Sequence, residues 1–199
     1  MIYPATYDIT ILQNATWRTT LRATEQRQSL DSITVSGGAA LFTADCHKLQ
    51  ADEAVIFTTA AGNSNTFVPC NLALNSIYYV LGSGLTTDQF RVSTTVSGSA
   101  LVLDRAASGV FYVAQPVNLT GYTVDADINT ISGSTQVATF SWAGVDLPNG
   151  LFELSMAPAV SSGLQVGNYS YDVSLTTASG ERYYWLTGTA TVQRTYSRN

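Results

Sequence analysis

The sequence has few charged residues. Asp, Glu, Lys and Arg together make up 12% of 199 residues, about half the usual share, and Lys48 is the only lysine. Long surface helices need many Glu, Lys and Arg side chains, so this scarcity argues against a helical protein. Thr, Ser, Gly, Val and Tyr take their place, and β-branched and aromatic side chains favour strands.

Clusters of basic residues are also missing. The net charge is −5, and the eight arginines are scattered without forming a run. Nucleic-acid binding depends on clustered Lys and Arg that displace counterions, and polybasic membrane attachment needs the same clustering. We therefore expect neither a nucleic-acid nor a membrane partner.

No apolar stretch is long enough to span a bilayer. The first residues, Met1–Asp8, have neither a basic start nor an apolar run, so we expect no signal peptide. These absences predict a protein that is made and assembled in the cytoplasm, or in an infected cell.

Histidine and cysteine are nearly absent, which limits the chemistry. His47 is the only histidine, and the two cysteines, Cys46 and Cys70, are predicted to be free and buried, with a disulfide as the alternative. These three side chains lack the paired spacing of zinc ligands. Cys46 and His47 are adjacent, and neighbours on an extended strand point to opposite faces, which does not suit a nucleophile and its base.

Other catalytic patterns have little support. Carboxylate pairs for sugar cleavage could be sought among the acidic residues of the C-terminal half, but no glycosidase motif surrounds them. These residues are Asp125, Asp127, Asp146, Glu153 and Asp172. A phosphate loop, a dinucleotide fingerprint and a Gly-x-Ser-x-Gly elbow are all missing. We expect no enzyme, no catalytic residue, no metal and no cofactor.

The first residues alternate in a way that predicts two strands between Thr6 and Ala23. Trp17 and Leu21 are predicted to face a core, and Asn14 is predicted to take a left-handed turn conformation between the strands.

The middle segment, residues 25–112, has short apolar runs separated by glycine-rich turns. We predict strands at Ser32–Val35, Ala39–Thr43, Ala54–Thr58, Ile77–Leu81, Gln89–Ser93 and Gly109–Val113. The polar stretch Ala44–Glu53 could hold one helical turn.

The C-terminal segment alternates most clearly. Val124, Ala126 and Ile128 are expected to face a core, with Asp125 and Asp127 on the solvent side. Similar alternation follows around Phe140, Phe152–Met156, Tyr169–Leu175 and Leu186–Val192. Short strands separated by such turns predict an all-β fold, an antiparallel β-sandwich.

Several motifs resemble a known family. They are Ile11–Trp17, Pro116–Val124, Leu164–Val173, and Gly180–Arg182 leading into Gly188–Val192. They are similar to immunoglobulin-like domains of bacteriophage virion proteins, of the type that forms the N-terminal domain of upper-baseplate proteins. That family has a glycine where Asn14 stands. In the family the first hairpin also runs almost directly into the Leu-Thr-Gly-Tyr motif, whereas about ninety residues separate Thr24 from Gln115 here.

An inserted domain explains this separation, because surface loops tolerate insertions whose ends are close together. The insert has motifs of its own, at Ala40–Leu49, Asp52–Val55, Tyr78–Leu81 and Leu85–Ser93. They resemble a β module of phage tail and fibre proteins. The resemblance therefore implies an immunoglobulin-like sandwich of residues 1–24 plus 115–199, with an inserted second small β domain of residues 25–114.

The resemblance also implies a function. We expect a non-enzymatic virion structural protein, a tail, baseplate or adaptor component that assembles with copies of itself and with neighbouring virion proteins. A symmetric homo-oligomer is expected, because repetition multiplies weak contacts. Capsid decoration, as a cement protein, is one alternative. A host-glycan binding module, with aromatic residues of the insert forming the site, is another.

Aromatic and terminal residues are the candidates for partner contacts. The run Tyr183-Tyr184-Trp185 puts aromatic rings on both faces of one predicted strand, so some are exposed unless the whole cluster is buried. The ends, Met1–Ala5 and Arg194–Asn199, are candidates to cross onto neighbouring copies as added strands. The predicted contact residues are Tyr3, Tyr183, Trp185, Arg194 and Tyr196.

Overall fold

The structure, a computed structural model, describes residues 5–25, 27–60, 66–132 and 135–195. The chain divides into two compact units. Unit 1 comprises Met1–Ala23 and Asn118–Asn199, and unit 2 comprises Thr24–Val117. The predicted domain boundaries lie one residue from the first of these division points and three residues from the second. Within the described ranges no helix is long and apolar enough to cross a membrane.

Strands make up almost all of the regular structure. In chain order they are β1 (Ala5–Thr6), β2 (Ile9–Leu12), β3 (Trp17–Arg22), β4 (Gln28–Leu30), β5 (Ser32–Ser36), β6 (Ala39–Thr43), β7 (Ala54–Thr59), β8 (Tyr78–Val80), β9 (Gln89–Phe90), β10 (Val92–Ser93), β11 (Phe111–Ala114), β12 (Thr123–Asn129), β13 (Gln136–Thr139), β14 (Ser141–Asp146), β15 (Leu151–Met156), β16 (Gly167–Thr176) and β17 (Arg182–Gln193). The helical segments among the described residues are a 3-10 turn at Leu147–Asn149 and α1 at Pro158–Gly163. The predicted all-β sandwich fold is confirmed.

Unit 1 contains a six-stranded and a three-stranded sheet. The larger sheet has the order β1–β17–β16–β12–β13, with β2 also paired to β17, and the smaller has the order β14–β15–β3. The predicted inward face of β12 is buried, at Val124, Ala126 and Ile128. Rings bridge the core, with the centroid of Phe140 5.0 Å from Trp17 and 6.1 Å from Tyr171. Trp17 is only half-buried, because β3 is an edge strand.

The N-terminal strands depart from antiparallel pairing. Both β1 and β2 run parallel to β17, with Ala5 opposite Leu186 and Ile9 opposite Ala190. Between them, the Tyr7 N–H donates to the Thr187 carbonyl at 3.0 Å. Such pairing joins residues 181 positions apart, such as Ile9 and Ala190, so the local alternation of the sequence does not predict it.

Two turns of unit 1 contain a residue in the left-handed conformation. Asn14 has a φ of 58°, so its predicted left-handed conformation is confirmed. Gly150 ends the 3-10 turn with a φ of 71°, which glycine adopts without a steric penalty. The segment Pro158–Gly163 forms the short helix α1, which the sequence did not predict. The hydroxyl of buried Ser161 ties this helix to the Ala15 carbonyl at 3.0 Å.

Unit 2 has its own core. One sheet has the order β10–β8–β7–β11–β4, and a smaller one has the order β5–β6–β9. Phe42, Phe57 and Phe90 are fully buried and stacked, with Phe42 4.5 Å from Phe57 and 5.3 Å from Phe90. Burying each such side chain contributes about 1.5–3 kcal/mol.

Three sequence predictions for unit 2 need correction. The segment Gln89–Ser93 is two strands, because β9 pairs with β6 and β10 pairs with β8, so the chain changes sheets at Arg91. Strand β4 was not predicted. The stretch Ala44–Glu53 contains no helical turn, because the left-handed φ values of Cys46, Lys48 and Asp52 are incompatible with one.

Candidate functional site

Among the described residues, the first four residues of β17 have a neighbouring strand on one side only. Residues Arg182–Tyr184 pair with β16, and β17 takes up its parallel partners only from Leu186 onwards. Among the described residues no strand lies against Arg182–Trp185 on the other side. We call Arg182–Trp185 the open edge. Its unpaired backbone groups can bind an added strand.

Exposed aromatic rings accompany the open edge. Tyr183 is 38% exposed and Tyr184 is 55% exposed, so the alternative of a fully buried cluster is wrong. The guanidinium carbon of Arg182 lies 5.3 Å from the centre of the Tyr184 ring. The Tyr183 hydroxyl donates to Glu181 at 2.9 Å, and this hydrogen bond to the carboxylate raises the pKa of Tyr183.

A register shift in the β16–β17 ladder sets the direction of these rings. Val173 pairs with Leu186, but Ser174 pairs with Tyr184, so Trp185 is the extra residue. Its ring turns towards the core and lies 5.6 Å from buried Phe152. Trp185 is therefore half-buried. Tyr184 is exposed, although it was not among the predicted contact residues.

The predicted contact residues are only partly brought together. Tyr183 and Trp185 both belong to the open edge, and Arg194 is exposed directly after the other end of β17. Tyr3 and Tyr196 lie outside the described residues, as do most of the two predicted arms. Tyr184 is an exposed aromatic residue that the predicted contact residues do not include, because strict alternation does not allow for the extra residue at Trp185.

Three of the five carboxylates considered for sugar cleavage, Asp125, Asp127 and Asp172, lie on the neighbouring strands β12 and β16, whereas Asp146 and Glu153 lie on β14 and β15. Asp127 pairs directly with Asp172 across β12 and β16 and accepts a hydrogen bond from Gln136 at 2.8 Å. Partial burial and the charge of Asp127 raise the pKa of Asp172. Arg182 lies 4.0 Å from Asp125. Like charges opposed across strands reduce stability, so this face is best explained as a solvated sheet surface.

The cysteines are free, as predicted, but both are exposed, so their predicted burial is wrong. Cys46 lies in a turn beside Asp45, and Cys70 follows Pro69 in another turn. His47 is buried instead. Its Nδ1 accepts a hydrogen bond from the Leu49 N–H at 3.0 Å, and its ring lies 5.0 Å from Phe90, in the edge-to-face arrangement of a core side chain.

Among the described residues, one group of possible metal ligands lies close together. The ligand atoms of Asp45, Cys46 and Asp88 are all within 4.8 Å of one another. All three are exposed. Among the described residues neither His47 nor Cys70 joins them. The charge of Asp45 and its hydrogen bond raise the pKa of the Cys46 thiol, with a smaller contribution from Asp88. A raised pKa keeps the thiol protonated, which suits neither a nucleophile nor a metal ligand.

This pKa shift predicts the reactivity of Cys46. Asp45→Asn should accelerate alkylation of Cys46 by iodoacetamide severalfold at about pH 8, because the thiolate is the reacting form and its fraction rises as the pKa falls. Peptide mass spectrometry follows each cysteine separately, and Cys70 is the internal reference. Equal Cys46 rates in the two proteins would show that Asp45 does not control the thiol.

No protein-family model and no curated protein matches this chain. The likeness of its motifs to phage virion proteins therefore remains a prediction from the sequence.

Proposed function

We propose that this chain is a non-enzymatic structural protein of a bacteriophage virion, a tail, baseplate or adaptor component that acts through protein–protein assembly. The observation that carries the proposal is the open edge, where no strand among the described residues pairs the outer side of the backbone beside the exposed rings of Tyr183 and Tyr184. Proteins commonly protect such edges from pairing, and an unprotected edge with aromatic side chains suits strand addition by a partner.

Two further features support assembly over other functions. Charged side chains are sparse at 12%, so burying the surface against a neighbour desolvates few charges. The negative net charge and scattered arginines give no basic patch for nucleic acid or anionic lipid. The expected partners are other copies of this chain and neighbouring virion proteins in a symmetric homo-oligomer, where each weak contact is repeated.

Immunogold electron microscopy of intact phage with an antibody against this chain tests the proposal. Label at the tail or its tip is the expected result. Label spread over the capsid would instead favour the decoration alternative and direct the search for partners to the shell. If neither intact nor disrupted particles are labelled while the antibody detects the purified chain, the virion assignment is wrong.

Changes at the open edge test the mechanism. The double variant Tyr183→Ser/Tyr184→Ser is expected to weaken assembly by about thirtyfold, because removing an aromatic hot spot typically costs about 2 kcal/mol of binding free energy. Analytical ultracentrifugation over a concentration series measures self-assembly, and incorporation into particles measures binding to other virion proteins.

Ile131→Ser is the matched control, because Ile131 is 71% exposed and lies away from the open edge in the sequence and the sheet. It should assemble normally. If the double variant folds and assembles like the control, the open edge is not the interface.

A further inference from the structure

Unit 2 contains a cleft that assembly does not explain. Its volume is about 500 Å³, within the range of small-molecule sites. Three loops form it together with the point at Arg91 where the chain changes sheets. Its lining includes Asp52, Ser83, Arg91, Ser97 and Gly98. These residues are up to 46 positions apart, since Asp52 precedes Gly98 by that number, so only the fold brings them together.

Arg91 reaches the cleft because of its place between two strands. Phe90 and Val92 on either side are fully buried in the core of unit 2, which leaves the side chain of Arg91 on the opposite side of the backbone. The Leu81 N–H donates to the Arg91 carbonyl at 2.9 Å and fixes the backbone at this point. The backbone at the change of sheets therefore fixes the direction in which the Arg91 side chain leaves the chain.

Among the residues that the structure describes, the guanidinium of Arg91 has no hydrogen-bond or ion-pair partner. Its Nε is shielded from solvent and has no hydrogen bond, and Arg91 forms no ion pair with any residue that the structure describes. A shielded donor without an acceptor costs free energy, and a half-buried cation without an anion costs more. A guanidinium matches a carboxylate through two parallel hydrogen bonds, so an anionic ligand on the terminal nitrogens of Arg91 would offset the cost of the half-buried cation.

Asp52 provides the second half of the site. Its Oδ1 accepts hydrogen bonds from the Ser97 N–H at 3.2 Å and the Ser97 hydroxyl at 3.1 Å. Its Oδ2 accepts none from the described residues, so it is available to ligand hydroxyls. Asp52 and Arg91 form no ion pair with each other within the described chain, so each retains its capacity to bind a ligand.

We infer that this cleft binds a sugar that carries a carboxylate, with the carboxylate on Arg91 and ring hydroxyls on Asp52. Small residues such as Gly82, Gly98 and Ala100 line the rest of the cleft and allow the backbone to approach a polar ring closely. They leave no large apolar pocket for a peptide side chain. The inference does not rest on the assembly proposed above.

This site differs from the aromatic one that the sequence suggested for glycans. None of the residues lining the cleft is aromatic, and within the described part of unit 2 the aromatic side chains are buried or half-buried. Recognition here is by charge and hydrogen bonds rather than by stacking.

Titration of the full-length chain with methyl β-glucuronide, followed by NMR of ¹⁵N-labelled protein, tests the inference. Resonances of the cleft residues should shift, and the neutral methyl β-glucoside should bind at least about tenfold more weakly, since it lacks the charged group. No shift with the glucuronide up to about 10 mM would overturn the site. Equal affinity for glucoside, or for acetate alone, would overturn the assignment to an acidic sugar.

Single variants test whether Arg91 and Asp52 bind the sugar. Arg91→Gln should lose about tenfold in glucuronide affinity, because the charge-assisted hydrogen bonds disappear while the side chain keeps a similar length. Asp52→Asn should weaken the glucuronide and the glucoside by a similar factor. Arg105→Gln is the matched control, because Arg105 is exposed and pairs with Asp104 outside the cleft.

The unperturbed part of each variant's NMR spectrum shows whether it is folded. A folded Arg91→Gln protein that binds the glucuronide as tightly as the Arg105→Gln control would exclude Arg91 as the carboxylate-binding residue.

Discussion

Phe42→Ala is expected to destabilise unit 2 by about 3–5 kcal/mol, the typical cost of truncating a buried phenylalanine. The ring is fully buried and stacks on both Phe57 and Phe90, so its loss leaves a cavity and removes two aromatic contacts. The loss of stability should be large because the Phe42 ring, on β6, packs against residues of both β7 and β9.

Hydrogen exchange measured by mass spectrometry is the right readout, because all three tryptophans, Trp17, Trp142 and Trp185, belong to unit 1 and do not report on unit 2 directly. Peptides from β6, β7 and β9 should lose protection. Val35→Ala is the control, because Val35 lies near the end of β5 and is 41% exposed. Unchanged protection in Phe42→Ala would mean that this stack does not hold the sheets of unit 2 together.

Gly188→Ala is expected to destabilise unit 1 by roughly 3 kcal/mol. A methyl group on Gly188 would overlap the carbonyl oxygen of Tyr7 and stand 2.8 Å from its carbonyl carbon. Those atoms are backbone, so they cannot rotate away as a side chain would. The hydroxyl of Tyr171 also donates to that carbonyl, so the same change disturbs the bond that holds the N-terminal strands on β17.

Urea unfolding followed by tryptophan fluorescence measures this effect, since the three tryptophans lie in unit 1. Gly163→Ala is the control, because a Cβ there would meet nothing within 4 Å, and its unfolding midpoint should stay close to that of the unchanged protein. If both variants unfold at the same urea concentration, the close approach of Tyr7 to β17 is not needed for stability.

The site shows where sequence reasoning reached its limit. The Tyr183-Tyr184-Trp185 run predicted a candidate contact region, but the register shift that turns Trp185 inward and leaves Tyr184 outward depends on how β17 pairs with β16. The burial expected of Cys46 and Cys70 followed from the usual behaviour of free thiols, and both are exposed because each lies in a turn.

The sequence alone determined the all-β class, most strands and the turn at Asn14, because period-two alternation and turn residues act over a few neighbouring positions. Tertiary structure alone decided the parallel pairing of β1 and β2 with β17, the change of sheet at Arg91 and the cleft around it. These features join residues from about 45 to more than 180 positions apart, and which of them meet depends on the packing of whole sheets.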